Sequence, residues 1–316
     1  MNILITGSAG FLGRRLMAAL LSGAAGLPLD RLTAADTVHT PTSDDRVGCR
    51  IGSITDEGFV ESLVAPGVDV VFHLAAVLSG QAEAEFDRGM QVNVDATRRL
   101  LEACRRLPAP PRFVFSSTIA VFGGSLPLTV PEDLAARPES SYGAEKVIAE
   151  YLVTEYSRRA FVDGVVCRVP TVAVRPGVPN SAVSSFVSGI IREPLAGLES
   201  VCPVPLDTRL WIASPDVVTF NLLHSATLPA SALEGGRTLN LPGLTVTPAE
   251  MLSSLERLGG TAARARVRPA LDPLITRIVS SWPGAFDVDR LLALGFRADP
   301  DFDSILRQFL TGERPA

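Results

Sequence analysis

The sequence has few of the residues that mark metal proteins and disulfide-bonded proteins. Its 316 residues include four cysteines and three histidines, and the cysteines are far apart, with no CxxC spacing. This spacing excludes the usual zinc-ribbon and redox motifs, and a chain of this length has no need of a disulfide framework. We therefore expect buried free thiols and no metal site.

Excess basic charge and long apolar runs are missing too. Lys and Arg number 29 against 34 Asp and Glu, a net charge of −5, which argues against a nucleic-acid or anionic-membrane partner. No apolar run approaches the roughly 20 residues of a membrane helix. The first residues, MNILITG, lack the basic start of a secretory signal. We expect a cytoplasmic protein that acts on a small molecule.

The first half alternates short β-branched runs with amphipathic stretches, which indicates parallel strands joined by helices. Runs such as DVVFHLAA are almost wholly apolar, as in a sheet covered on both faces. The pattern predicts an α/β fold with a doubly wound parallel (Rossmann) sheet. The expected strands are Asn2–Thr6, Leu32–Asp36, Asp69–His73, Arg112–Ser116 and Gly164–Arg168, and the expected helices are Phe11–Ser22, Asp56–Val64, Glu85–Arg106 and Tyr142–Arg158.

The pattern changes at about Thr171, where the alternation stops and Pro and Gly become frequent. Short helices are predicted at Pro248–Leu258 and Asp301–Leu310. We therefore predict a Rossmann domain over residues 1–170 and a smaller, mixed substrate-binding region over 171–316, whose strands and helices can interleave.

A glycine-rich turn follows the first predicted strand, in the order Thr6-Gly7-Ser8-Ala9-Gly10-Phe11-Leu12-Gly13. Gly7 permits a sharp turn, Gly10 a close approach of backbone to a pyrophosphate, and Gly13 close packing of the helix on the sheet. The spacing is GxxGxxG, so the position between a strand and a helix carries the argument. These residues predict a dinucleotide site.

The second predicted strand ends in an acid, Asp36. A carboxylate there accepts hydrogen bonds from ribose hydroxyls and repels a 2′-phosphate, which favours NAD over NADP. Arg14 and Arg15 leave NADP open, because an arginine near the ribose can accommodate the phosphate.

Tyr142 and Lys146 lie four residues apart at the start of a predicted helix, so they share a face. A nearby ammonium and an oxidised nicotinamide both favour the phenolate, and we expect them to lower the pKa of Tyr142 so that the phenolate accepts a proton from a substrate hydroxyl. Thr118, after Ser116 and Ser117 at the end of a predicted strand, is placed to orient that hydroxyl. YxxxK alone is a weak motif; with the glycine turn and the hydroxyls it predicts an NAD-dependent oxidoreductase.

These motifs resemble the extended short-chain dehydrogenase/reductase family, which includes nucleotide-sugar epimerases and dehydratases. The matching stretches are TGSAGFLG, IGSITD, VFHLAA, VNVDAT, FSSTIAVFG and YGAEK. The family usually has a serine where this chain has Thr118, and often an aspartate where it has Ser53. The residues at cofactor-contacting positions are Gly7, Gly10, Phe11, Leu12, Gly13, Asp36, Ile54, Leu74, Ala75, Ala76, Asn93, Ser116, Ser117, Tyr142, Lys146, Pro170 and Thr171.

The second half, in stretches such as CPVPLDTRLWIASP and SWPGAFDVDRLLALGF, is similar to D-erythronate dehydrogenases, which oxidise a four-carbon sugar acid at C2 with NAD. Thr171 stands where the epimerases tend to have an asparagine. Arg209 stands where they bind phosphate, and a guanidinium also suits a small carboxylate. We expect Arg209 to bind the substrate carboxylate and Asn180 and Ser185 to reach its hydroxyls.

The resemblance also implies a homodimer, since the helices over Glu85–Arg106 and Tyr142–Arg158 form the dimer bundle in many members. Two alternatives stay open. One is a nucleotide-sugar epimerase or dehydratase that keeps its NAD bound. The other is a non-catalytic NAD-sensing protein, which has little need of Tyr142 and Lys146.

Overall fold

The computed structural model describes residues 1–23, 26–64, 67–177 and 182–312. It divides into two compact units, each built from several stretches of chain. The first unit comprises Met1–Thr118, Ser140–Arg168 and Thr219–Leu239, and the second comprises Ile119–Glu139, Val169–Val218 and Asn240–Ala316. The division into a domain of residues 1–170 and one of 171–316 stays a prediction.

Twelve strands are found in the described residues. They are β1 (Asn2–Thr6), β2 (Arg31–Asp36), β3 (Val47–Ile51), β4 (Val68–His73), β5 (Arg112–Thr118), β6 (Asp163–Val169), β7 (Thr171–Val172), β8 (Ser200–Cys202), β9 (Leu210–Ala213), β10 (Thr238–Asn240), β11 (Leu244–Val246) and β12 (Val267–Pro269).

Thirteen α-helices are found in the same residues, with a π-helix at Met90–Asp95 and short 3₁₀ turns. The α-helices are α1 (Phe11–Leu21), α2 (Glu57–Leu63), α3 (Ser79–Ala84), α4 (Phe86–Gly89), α5 (Ala96–Arg105), α6 (Ser141–Arg158), α7 (Ser185–Leu195), α8 (Pro215–Thr227), α9 (Pro248–Gly259), α10 (Thr261–Ala265), α11 (Pro273–Ser280), α12 (Asp289–Ala293) and α13 (Phe302–Thr311). Among the described residues, no helix combines the length and apolarity needed to cross a bilayer.

The main sheet is parallel and has seven strands in the order β10-β6-β5-β4-β1-β2-β3. The order reverses between β1 and β4, whose residues pair from Ile3 with Val70 to Thr6 with His73. In doubly wound sheets, ligands bind at this reversal, beyond the carboxyl ends of the strands. The predicted fold class is confirmed, and the topology places the glycine turn after β1 beside the segment after β4.

Each unit has its own apolar core. In the first, Leu4, Val71 and Phe113 from the sheet pack with Leu100 and Val153 from the helices, and all are buried. Burial of such side chains contributes about 1.5–3 kcal/mol each. The sheet is therefore covered by helices, as its apolar strands require.

The second unit contains small sheets. One has the order β11-β9-β7, with β9 antiparallel to β11 and parallel to β7, and β8 pairs with β12. Its core includes Ile190, Ile212 and Leu255. Helix α9 begins in a capping box, in which Thr247 accepts from the backbone N–H of Glu250 and the Glu250 carboxylate accepts from that of Thr247. The predicted mixed architecture of this part is confirmed.

The structure corrects one predicted helix. In place of a continuous helix over Glu85–Arg106 the chain forms α4, the π-helix and α5. The π-helix brings Asn93 to the backbone of Val77, where its amide binds both the N–H and the C=O group. Apolar periodicity does not reveal the extra residue of a π turn, which often marks a functional site.

Candidate active site

The turn after β1 has the geometry that a dinucleotide phosphate requires. Gly7 has φ +76°, and a Cβ there would lie 2.7 Å from the backbone nitrogen of Ala75. A Cβ on Gly13 would clash with the carbonyl oxygen of Gly7. Helix α1 begins at Phe11, and its N-cap, Gly10, has no side chain to cover the first N–H groups. These groups are open to an anion, so the turn fits a pyrophosphate.

Asp36 lies at the end of β2, beside this turn. Its Oδ2 accepts a hydrogen bond from the backbone N–H of Ala9 at 2.9 Å, and its Oδ1 accepts one from that of Thr37 at 2.7 Å. The carboxylate is thereby fixed and partly exposed, as ribose binding requires. Arg14 donates to the carbonyl oxygen of Ala9, and the Arg15 guanidinium lies 5.7 Å from the centroid of the Phe11 ring.

Tyr142 and Lys146 lie in the first turns of α6, which begins where Ser140 accepts a hydrogen bond from the N–H of Gly143. The Lys146 ammonium donates to the carbonyl oxygen of Ser116 at 2.8 Å. The same nitrogen is 4.5 Å from the ring centroid of Phe115 and 5.9 Å from that of Tyr142. The structure therefore brings the predicted pair next to β5, the strand that ends in the three predicted hydroxyl residues.

In the protein alone, burial has the largest effect on the pKa values of this pair. Burial, and secondarily the Glu145 carboxylate, raise the pKa of Tyr142 above its ordinary value. Burial also lowers the pKa of Lys146 to about 8, against the opposing effect of Glu150 and Glu145. Burial therefore determines the direction of the Tyr142 pKa shift in the protein alone. The expected lowering depends on the oxidised nicotinamide as well as on Lys146, and it stays a prediction.

The three hydroxyl residues at the end of β5 do different things. Side chains alternate along a strand, so Ser117 faces away from Ser116 and Thr118. The Ser117 hydroxyl donates to the Glu150 carboxylate at 2.5 Å, and Arg168 pairs with the same carboxylate at 2.7 Å. Ser116 contributes its carbonyl oxygen to Lys146. Thr118 therefore lies on the same face of β5 as Ser116.

Asn93 connects the loop after β4 to α6. Its Oδ1 accepts from the N–H of Val77 at 2.8 Å, and its Nδ2 donates to the carbonyl of Val77 at 3.1 Å and to the Glu145 carboxylate at 2.6 Å. This loop carries the predicted cofactor residues Leu74, Ala75 and Ala76. Ile54, also predicted to contact the cofactor, is 8% exposed and belongs to the apolar core of the first unit.

His73, at the end of β4, was not predicted to take part. Its Nδ1 lies 2.6 Å from the Thr6 hydroxyl and its Nε2 lies 2.9 Å from the Thr97 hydroxyl, which donates in turn to the carbonyl of Asn93. Nε2 therefore carries the proton and Nδ1 accepts. Burial and nearby Lys146 lower the pKa of His73 to about 3, so the ring is neutral. In the sequence, its position at the end of an apolar strand was the signal that could have indicated its place in the site.

The remaining predicted residues belong to the second unit, except Asn180, which lies outside the described residues. Pro170 is buried between β6 and β7, and Thr171 begins β7. Ser185 is the first residue of α7. Arg209 is half-buried and donates to the carbonyl of Leu128 at 3.2 Å, which orients the guanidinium.

Comparison with known proteins agrees with this geometry. The profile of the NAD dependent epimerase/dehydratase family matches residues 3–236. The chain is 47% identical to D-erythronate dehydrogenase of Cupriavidus necator, over 98% of both chains. It is 43% identical to the enzyme of the same name from Haemophilus influenzae, over 98% of this chain and 99% of the relative.

A solved structure is similar over nearly its whole length. The nucleoside-diphosphate-sugar epimerase from Agrobacterium tumefaciens superposes with a TM-score of 0.94 at 38% identity, over 99% of this chain and 94% of that one. The predicted family, the NAD cofactor and the oxidoreductase class acting on CH–OH groups are confirmed. The glycine turn, Asp36 and the Tyr142–Lys146 pair are thus the local features of a relationship that spans the chain, which belongs to the NAD dependent epimerase/dehydratase family.

Proposed function

We propose that this chain oxidises a small polyhydroxy acid with NAD, and that the acid is D-erythronate, converted at C2 to the 2-oxo acid. The similarity to two D-erythronate dehydrogenases covers 98% of the chain, which supports the substrate class. One structural observation carries the chemistry. The buried ammonium of Lys146 lies 5.9 Å from the centroid of the Tyr142 ring and donates to the carbonyl oxygen of Ser116, which belongs to the strand that ends in Thr118.

The turn Gly7–Gly13 and Asp36 would hold the phosphates and the ribose of NAD. When bound, NAD supplies the acceptor for the hydride that leaves the substrate carbon. The protein's part is to take the proton from the hydroxyl on that carbon. Tyr142 accepts this proton at its phenolate oxygen, and Thr118 orients the hydroxyl by a hydrogen bond.

Forming the phenolate requires positive charge, because burial and Glu145 raise the pKa of Tyr142. The Lys146 ammonium, 5.9 Å from the ring centroid, supplies this charge. Burial removes water from the ammonium, and its hydrogen bond to Ser116 and its contact with the Phe115 ring replace that hydration. The pair therefore acts as one unit, with Tyr142 as base and Lys146 as its electrostatic partner.

The direct test is to add NAD and D-erythronate to the purified protein and follow NADH absorbance. Tetronic, pentonic and uronic acids should be screened in parallel to define chain length and stereochemistry. Accumulation of NADH in proportion to the acid oxidised is expected. Inactivity with every acid, together with turnover of a nucleotide-sugar without NADH release, would contradict the proposal.

That second outcome describes the alternative function, a nucleotide-sugar epimerase or dehydratase with tightly bound NAD. The structural similarity to the Agrobacterium tumefaciens epimerase supports this alternative. One sequence observation argues against it: this chain has Thr171 where the epimerases tend to have an asparagine.

Arg209 is proposed to bind the substrate carboxylate, with Asn180 and Ser185 reaching its hydroxyls. We expect Arg209→Ala to raise KM for the acid by on the order of 10- to 100-fold, because a charge-assisted hydrogen bond is lost. KM for a neutral polyol should change little. Arg268→Ala, which removes an exposed arginine of the second unit, is the control. Equal effects of Arg209→Ala on acid and polyol would contradict this assignment.

We propose a homodimer that pairs through α4 and α6. Phe86, Ile148 and Tyr151 on these helices are 58%, 41% and 70% exposed, and large apolar side chains on one surface favour association. Light scattering should give twice the chain mass, and Tyr151→Glu should halve it. Leu274→Glu, at another exposed apolar residue, should leave the mass unchanged. A monomeric wild-type protein would refute this assembly.

A further inference from the structure

Glu145, between Ala144 and Lys146 in α6, is an acid with no exposed surface. Its Oε2 accepts one hydrogen bond, from Nδ2 of Asn93 at 2.6 Å. Its Oε1 is buried and finds no hydrogen-bond partner among the described residues. Burying a carboxylate in this way is costly unless a nearby charge compensates it.

The chain is shaped around this carboxyl group. Gly89, at the end of α4, lies so close that a Cβ there would clash with Oε1 and would be 2.8 Å from Cδ of Glu145. Gly89 is followed directly by the π-helix that carries Asn93. The carboxyl group is therefore in close contact with two uncharged residues, Gly89 and Asn93.

The charged groups facing Glu145 come from two helices. Lys146 is its neighbour in α6, and Glu83 approaches from α3, where it also accepts from the N–H of Ser141. Burial raises the pKa of Glu145 above its ordinary value, the Asn93 hydrogen bond and Lys146 oppose this, and Glu83 adds to it. In the other direction, Glu145 raises the pKa of Tyr142 and that of Lys146.

We propose that Glu145 is a positioning residue for the catalytic pair. Its hydrogen bond to Asn93 fixes α6 against the loop that follows β4, and its negative charge sets the pH range in which Tyr142 and Lys146 work. This inference rests on the proposed function, in which Tyr142 is the base and Lys146 its electrostatic partner. Glu145 itself touches neither substrate nor cofactor in this role.

The first test is the pH profile of kcat/KM for Glu145→Gln, which keeps the shape and removes the charge. Loss of a negative charge lowers the pKa of both neighbouring groups, so both limbs of the profile should move to lower pH, by about one unit. A merely structural role would lower the rate and leave the profile in place, and that result would overturn the proposal.

Two variants control this experiment. Glu155→Gln makes the same change at an exposed position of α6, about 15 Å further along the helix, and should not move the profile. Glu145→Asp keeps the charge but shortens the reach to Asn93, so kcat should fall while the profile stays. If the Gln variant does not fold, Glu145→Asn replaces it, because Asn has the length of Asp without its charge. The profile of the Asn variant should then move to lower pH relative to that of the Asp variant, and identical profiles would overturn the proposal.

The second test needs no substrate. A carboxyl group whose pKa is raised on folding stabilises the fold at low pH and loses that contribution as pH rises through its folded pKa. The Tm of Glu145→Gln relative to wild type should therefore increase as the pH rises above the ordinary glutamate pKa of about 4.3. A constant difference would overturn the charge argument. Should the protein oxidise no acid at all, the proposed function fails while this measurement still tests Glu145.

Discussion

Replacing Tyr142 with phenylalanine is expected to lower kcat by about 10²- to 10⁴-fold. The substitution removes one oxygen, the proposed proton acceptor, and keeps the ring whose centroid lies 5.9 Å from the Lys146 ammonium. Packing at the start of α6 should therefore be preserved. Affinity for NAD, measured by calorimetry, should change little, because the turn after β1 and Asp36 are untouched. A fall in kcat with unchanged affinity for NAD would show that the substitution affects the chemical step.

A matched control is available on the same helix. Tyr151 is 70% exposed, and Tyr151→Phe also removes one phenol oxygen from α6. It should leave kcat and KM for the acid near wild-type values. Full activity of the Tyr142→Phe enzyme would refute the assignment of Tyr142 as base. Retained biological activity of a catalytically dead Tyr142→Phe protein would instead favour the NAD-sensing alternative.

Replacing Glu150 with alanine is expected to reduce the free energy of unfolding by about 3–5 kcal/mol. Glu150 and Arg168 form an ion pair at 2.7 Å whose side chains are 6% and 8% exposed, and Ser117 donates to the same carboxylate. Removing the carboxylate leaves a guanidinium buried without its counter-charge. Because the Glu150 carboxylate joins α6 to β6 through Arg168 and to β5 through Ser117, its loss should also reduce kcat by displacing Thr118 and Lys146. Denaturant unfolding measures the first effect.

An exposed pair on the same helix is the control. Glu155 and Arg158 lie 2.7 Å apart, with side chains 51% and 68% exposed, and Glu155→Ala should cost no more than about 1 kcal/mol. The double variant Glu150→Leu with Arg168→Met should recover much of the lost stability, since a buried ion pair is often replaceable by apolar residues. Similar losses for Glu150→Ala and Glu155→Ala would contradict this account.

Much of the first unit could be predicted from the sequence, because parallel strands buried on both faces are almost wholly apolar. β1 and β4–β6 show this pattern. β3, with the sequence VGCRI, does not, because it is an edge strand with little burial. It was missed, as were the helices α7 and α8, which follow segments rich in Pro and Gly.

Tyr142, Lys146 and the glycine turn could be proposed from motif chemistry, since each depends on spacing within a short segment. The rise of the Tyr142 pKa in the protein alone could not be predicted, because spacing carries no information on burial. Glu145 sits inside the predicted motif, but its burial depends on Gly89, which is distant in sequence. The same holds for Glu150 and Arg168, which meet only after α6 and β6 have folded onto the sheet.

The π-helix at Met90–Asp95 also sets the rotational register of α5. Each helical residue turns the chain by about 100°, so the additional residue of a π turn rotates everything after it by that angle relative to a regular helix. With this offset in place, Leu100 and Cys104 of α5 are buried in the core. Shortening the segment by one residue would restore a regular helix around Asn93 and turn the apolar face of α5 towards water. Core packing and the placement of Asn93 therefore depend on a single turn.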